Sequence, residues 1–424
     1  MKRSINGSRM IKMANLCRQQ APEAYKMAVP YIREGDGIQV LANPLFTNQL
    51  VYNTMYEFLT NMIYKTVFTN TDAFVNPLNV LKKGNMELGA DLREIANDLL
   101  EEHNYQLTDN QLADILKLDP PTVYQVIHRL NRKSYYKVSL SYAELELACE
   151  SWTAFEDMFI TKAELLYNSN FVDEFEWSKD LLRMSAQNNM IEREEITEVT
   201  SESTGKALVK AIKNTVTDFK FPSILHTGLY RMTAGVKSIK VWTPPEKIVL
   251  VVPGKILNEL DTDVLAVAFN VDKLAFKTER TLEVDDLGYF YDYRPTDDTT
   301  VTSGKTYYEL KADGTYAEKT PTTANPKTEG LYEMWYGAID AFVFDERFTQ
   351  IYDKRTYLGQ SMIISGQVEQ KYLHVWQLFS CSPFANAKMF FHEVDEDDIP
   401  VDYAFYKYFD ESENSSTDVT ISDL

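Results

Sequence analysis

The chain has 424 residues, 44% hydrophobic and 12% aromatic, enough for a large core and for roughly two or three domains of ordinary size. Its 63 acidic against 43 basic residues give a formal charge of -20, which argues against an outer face given over to gripping phosphate backbones. Three widely spaced cysteines, Cys17, Cys149 and Cys381, exclude a disulfide framework or a CxxC motif, and no apolar run reaches the ~18 residues a bilayer needs. The expectation is a protein of a reducing compartment, without a signal peptide and without membrane contact.

In chain order, the first feature is a basic arm. The first 33 residues hold Lys2, Arg3, Arg9, Lys12, Arg18, Lys26 and Arg33 against Glu23 alone, a local charge of +6. A solvated terminus is the plain alternative. A long helix is predicted next, from about Ala143 to Gln187, because Leu145, Ala148, Trp152, Phe155, Phe159, Ala163 and Leu166 recur at steps of three or four. At 1.5 Å per residue it would run on the order of 65 Å, with "NSN" at 168–170 as a place to bend. Its many carboxylates, Asp173 and Glu174 among them, read as a charged solvent face rather than a catalytic pair.

After Gly205 the pattern turns to short β-like runs, "KIVLVVPG" (247–254) and "YGAIDAFVFD" (336–345) among them, so the region is mixed α+β. Residues 294–330, rich in Thr, Gly, Pro and Asp, read as a surface insertion whose Asp313-Gly314 pair predicts a hairpin. "YLHVWQLFSCSPFANAKMFF" (372–391) then reads as strand, small-residue turn and second apolar run. From Glu393 onward the sequence predicts a poorly ordered acidic tail.

Signatures of catalysis and cofactor binding are missing. "TSGKT" ends like a phosphate-cradling loop, but Thr299 stands where that loop needs glycine. None of the five histidines has metal-ligand spacing, and there is no GxSxG elbow or GxGxxG turn. Aromatic residues are not interleaved with Lys and Arg along the chain as a base-stacking groove requires. No cofactor, metal or enzymatic role is expected. A soluble acidic hydrolase of polysaccharide or cell wall stays as the alternative reading, to be separated by the size of the particle the chain forms.

Four ordered segments resemble the major capsid proteins of phi-29-like short-tailed bacteriophages. "NPLNVLKKGNMELGADLREI" (76–95) is similar to that family's Asn-Pro-Leu, Lys-Lys-Gly and Leu-Gly pattern, and "SWTAFEDMFITKAELLYNSNFVDEFEW" (151–177) to its long-helix stretch. "ELDTDVLAVAFN" (259–270) and "HVWQLFSCSPFANAKMFF" (374–391) complete the set.

The resemblance implies an α+β fold of the Hong Kong 97 type. In it 1–75 would be the amino-terminal arm and 76–140 an extended hairpin loop, with Lys82, Lys83, Gly84 and Gly89 making contacts over a neighbouring subunit. Residues 141–204 would hold the spine helix of a peripheral domain, with Trp152, Phe155 and Phe159 in its core. Residues 205–373, including 294–330, would be an axial domain. In 374–424 a strand bearing His374, Trp376, Phe379 and Phe384 would return between domains before the tail. Implied partners are the chain itself as pentamers and hexamers, a scaffolding protein, a portal protein at one vertex and packaged double-stranded DNA. The inner-surface basic arm (Lys2, Arg3, Arg9, Lys12, Arg18) would touch that DNA without sequence preference. The implied location is the virion capsid, assembled in the bacterial cytoplasm.

Overall fold

The computed structural model describes residues 8–33, 35–48, 50–51, 54–55, 74–87, 89, 91–100, 122–141, 149, 151–235, 239–259, 281–302, 305–311, 315–363, 368–400, 403, 405 and 418–422. The chain divides into two units. Unit one holds 1–76, 132–174 and 355–376; unit two holds 77–131, 175–354 and 377–424.

Unit one begins with three helices, α1 (Ser8–Gln20), α2 (Glu23–Ala28) and α3 (Gln39–Thr47). Ile11, Ala14 and Cys17 form one stripe of α1 and are buried with Tyr25, Val29, Leu41 and Leu45. Asn15 fixes the path of the chain by exchanging two hydrogen bonds with the backbone of Ile32, at 2.7 and 2.9 Å. Burial pushes the Cys17 thiol up to about 11, and all three cysteines are buried and free.

Unit two supplies β1 (Lys82–Asn85), β2 (Leu92–Asn97) and β3 (Val123–His128), and β4 (Arg132–Ser141) follows in unit one. The helix α4 (Trp152–Gln187) is continuous through "NSN", where Ser169 Oγ donates to the Leu165 carbonyl at 2.7 Å and so stays within helical geometry. It starts later than periodicity suggested, since Cys149 lies in a turn and Ser151 is outside the helix; residues 142–148 fall outside the described residues. At 1.5 Å per residue, 36 residues span about 54 Å. Asn189, at φ 55°, takes the left-handed position that ends it, and Met190 N–H returns to the Ser185 carbonyl at 2.9 Å.

The rest of unit two is built on a mixed sheet. After β5 (Glu192–Glu195) come α5 (Glu202–Phe219) and α6 (Gly228–Met232). Then follow β6 (Ile248–Pro253), β7 (Thr281–Val284), β8 (Tyr289–Pro295), β9 (Tyr308–Leu310), β10 (Tyr316–Glu318) and β11 (Tyr332–Asp345). The last strands are β12 (Thr349–Ile363), β13 (Val368–Cys381), β14 (Ala387–Val394) and β15 (Asp418–Ser422). β11 is the hub, antiparallel to β14, β6 and β8, while β5 joins β14 in parallel. All six residues of β6 are buried, as a strand covered on both faces requires. Val249, Val251, Phe342 and Phe344 pack on Phe175, Trp177 and Leu182 of α4, and Leu250, Val252, Ala341 and Val343 pack on Leu208, Ile212 and Phe219 of α5. Ser201 caps α5 through a reciprocal box with Thr204.

Two expectations need correction. The carboxylates of α4 are not a uniform solvent face: Glu174 is 5% exposed and Asp180 3%, with Lys179 and Arg183 equally enclosed. Lys179 Nζ donates to Asp285 and sits 2.9 Å from Glu176, while Arg183 donates to Asp180 and, at 2.8 Å, to the Leu287 carbonyl. Pairing is what makes the burial of Lys179, Asp180 and Arg183 tolerable. Nor is the tail simply a solvated run. Tyr403 and Phe405 pack edge-on against Tyr289 and Tyr291, the Tyr403 hydroxyl accepts from Tyr289 N–H at 2.9 Å, and β15 is antiparallel to β3. Gly288, at φ 72°, leaves the space that hydroxyl occupies, because a Cβ there would lie 2.0 Å from it. β9 and β10 pair as the predicted hairpin requires, although Asp313 and Gly314 themselves lie outside the described residues.

Candidate functional site

The residues expected to carry contacts are spread over several elements rather than gathered in a cleft. The parallel register of β1 with β12 shifts between Lys82 and Gly84, and Gly84 itself sits at φ 126°. Lys82 forms an ion pair with Asp353 at 2.9 Å, Lys83 is exposed beside it, and Gly89 is exposed at φ 90°. Trp152, Phe155 and Phe159 lie in the first turns of α4; their side chains are outside the described residues.

Strand alternation sorts the stretch that opens with His374. Up to Trp376 the faces alternate, with Val375 1% exposed on one and His374 and Trp376 half-buried on the other; from Gln377 on both faces are covered, and Leu378 and Phe379 are at most 1% exposed. Within unit two the turn 382–386 is gripped closely. Leu229 N–H donates to the Pro383 carbonyl at 2.9 Å, and a Cβ on Gly228 would meet Pro383 Cα at 3.1 Å. Phe384 is buried with Leu229 and Val241.

Of the basic arm, Lys2 and Arg3 are outside the described residues, as is the Arg9 side chain, and Lys12 is exposed. Arg18 is engaged within the chain, donating to the carbonyls of Val29 at 2.8 Å and Lys26 at 3.4 Å.

Little here resembles a reaction centre. Asp173 accepts from the Tyr136 hydroxyl at 2.7 Å, whereas Glu174, the next residue of α4, is buried, so the two carboxylates do not face one substrate. An open groove beside them is lined by Tyr136, Lys162, Leu165, Asn168 and Val172. Among the described residues no cluster of three metal-binding side chains occurs, and no helix is long and apolar enough to cross a membrane.

One charged cluster in unit two is tightly built. Glu192 on β5 accepts from His226 and lies 3.3 Å from Lys388 and 3.5 Å from Arg231. Burial raises the Glu192 carboxyl, but the His226 hydrogen bond and the two cations outweigh that and hold it below its ordinary value.

One feature escaped the linear reading of aromatic and basic residues. "KSYYK" places Lys133, Tyr135 and Lys137 on one exposed face of β4, so the interleaving absent along the chain is produced by strand alternation.

A family model described as Phi29-like phage major capsid protein matches residues 14–391. The chain belongs to this family. It is 25% identical over 403 residues to the major capsid protein of Bacillus phage B103, covering 94% of this chain and 76% of that one. To the counterpart in Bacillus phage PZA it is 26% identical over 280 residues, covering 65% of this chain and 60% of the relative. A chain in the capsid structure of Staphylococcus phage Andhra superposes with a TM-score of 0.54 at 14% identity, covering 76% of this chain and 86% of that chain. A chain in the structure of the head fibre and inner core protein gp22 of native bacteriophage P68 gives 0.52 at 14% identity, covering the same shares. The fold is the tailed-phage, Hong Kong 97-type capsid fold, α+β as the sequence led one to expect. As a Phi29-like major capsid protein the chain is a structural component of the virion and forms the capsid shell, and nothing in the comparisons supports the hydrolase alternative.

Proposed function

We propose that the chain closes an icosahedral shell from rings of five and six copies around the packaged double-stranded DNA of a short-tailed phage, by contact alone and without catalysis. The observation that carries this reading is the family match over residues 14–391. Residues 1–75 act as an arm, 76–140 as a loop laid over a neighbour, 141–204 as peripheral, 205–373 as axial, and the strand from His374 as the link back. Permanent assemblies bury on the order of 2,000 to 5,000 Å² per interface, and an arm and a loop extend the reach of one 48.9 kDa subunit. Assembly takes place in the host cytoplasm with a scaffolding protein and a portal protein at one vertex. Exposed Lys12 and, with it, Lys2, Arg3 and Arg9 of the arm meet DNA on the inner surface, while Arg18 holds the arm's own fold.

Negative-stain microscopy of the purified chain tests the proposal. Closed particles or curved sheets are expected; a monomer at every concentration and salt condition overturns it. Because Ile11, Ala14 and Cys17 of α1 belong to the core, the arm is tested by charge alone: replacing Lys2, Arg3, Arg9 and Lys12 with Gln is expected to lower DNA content or make assembly salt-sensitive, and normal assembly with full DNA content would rule out the arm's role.

A further inference from the structure

Three strand segments of unit one, 355–363 of β12, 368–376 of β13 and β4, lie side by side in that order. Their inner face is accounted for: Tyr136, Val138, Leu358, Leu373 and Val375 pack on Leu166 and Tyr167 of α4. The outer face is not. It presents Lys133, Tyr135 and Lys137 from β4, Tyr372, His374 and Trp376 from β13, and Arg355 and Tyr357 from β12.

The rings form one connected array. Tyr357 and His374 stack at 4.5 Å with 11° between planes, His374 lies 6.0 Å from Tyr372, and Tyr135 stands 6.1 Å from both Tyr372 and His374. The Arg355 guanidinium lies 4.3 Å from the Tyr357 centroid and 6.0 Å from that of Trp376. Tyr135 is 64% exposed, and Lys133, Lys137 and Arg355 are exposed as well. Among the described residues no carboxylate forms an ion pair with any of these three cations. In a chain of formal charge -20 this is a local reversal of sign, floored with aromatic rings.

We propose that this face is a contact between copies of the chain, in which the basic aromatic surface of one subunit receives an acidic surface of the next. The inference rests on the self-assembly reading above and supplies it with a surface. Acids outnumber bases by 63 to 43, so carboxylates are what a second copy offers most. Tyr, Trp and Arg are the residues that dominate interface energetics, and rings already ordered against one another lose little entropy on docking. Nucleic acid is the less favoured occupant. Its bases would need free ring faces, and the His374 ring and the Arg355 guanidinium already engage Tyr357, which leaves Tyr135 as the well-exposed ring of the array.

The test is a triple charge reversal in the full chain, Lys133→Glu, Lys137→Glu and Arg355→Glu, with a cross-linking measurement on unaltered protein beside it. The variant is expected to keep its circular dichroism and unfolding midpoint while the concentration needed for particles rises about tenfold or more. In particles assembled from mixed light and heavy-isotope chains, zero-length carbodiimide links from Lys133 and Lys137 are expected to join carboxylates of a different copy. Particles of the variant at the wild-type concentration, or an absence of mixed-isotope links, overturn the proposal. So does a variant that assembles normally but loses affinity for duplex DNA, which reassigns the face to nucleic acid. Wild-type chain that never forms particles removes the assembly reading and this proposal together, whereas wild-type particles with an unaffected variant remove this proposal alone.

Discussion

The two halves of α4 obey opposite rules. Among the described side chains of residues 152–173 two large apolar ones stand in the open, Leu165 at 58% and Val172 at 44% exposure. In residues 175–187 the ionisable Lys179, Asp180 and Arg183 are enclosed at 2, 3 and 8%. One helix therefore shows that neither charge nor apolarity fixes where a side chain sits. A charge can be enclosed when a partner is built for it, and an apolar group can stay exposed in a subunit whose remaining surface is covered by assembly.

Arg183→Leu breaks the comparison most severely. It leaves Asp180 enclosed without its cation and frees the Leu287 carbonyl, so unfolding by denaturant is expected to show a loss of about 3–5 kcal/mol. Gly288→Ala attacks the same corner through the backbone. A left-handed alanine and the displaced Tyr403 hydroxyl are expected to cost about 2–3 kcal/mol and to speed proteolytic cleavage after residue 400.

Glu192→Gln sharpens the lesson about paired charge. The depressed carboxyl contributes stability above the ordinary carboxylate value of 4.5, and that contribution disappears as pH falls through its lower folded value. The variant should be about 1–2 kcal/mol less stable at pH 7, with the gap to wild type closing in acid; a gap that persists unchanged to pH 3 would contradict the assignment. Leu165→Ser carries the smallest expected effect, a change within about 0.5 kcal/mol, since this leucine leaves water only partly on folding.

Much of the fold was readable in the residues. Short β-like runs bounded by turn residues gave β6 and β11, the apolar run on each side of a small-residue turn gave the β13-turn-β14 segment, and the long helix appeared through its apolar spacing, because these signals are local. What was missed depends on distant partners. Asp180 and Arg183 look like solvent-face residues until the Leu287 carbonyl, 104 residues from Arg183, is placed beside them. Tyr403 and Phe405 belong to a short aromatic stretch, "YAFYKYF" (403–409), set between acidic runs, and nothing nearby in sequence announces the seat made by Gly288 and Tyr289. The basic aromatic face needs three strands from two parts of the chain, so a linear search for alternating Lys and Tyr finds only the β4 portion. Of the residues expected on the returning strand, His374 and Trp376 join that face, whereas Arg18 of the basic arm is committed to backbone carbonyls within its own unit.

The enclosed thiols have a practical corollary. Cys17, Cys149 and Cys381 are all shielded, and the first is held well above its usual ionisation range, so alkylating dyes find almost no native nucleophile on the folded subunit. A single cysteine introduced at an outward site such as Tyr135 would thus be a selective fluorescent handle, able to report shell closure in real time without first stripping the molecule of its own sulfur.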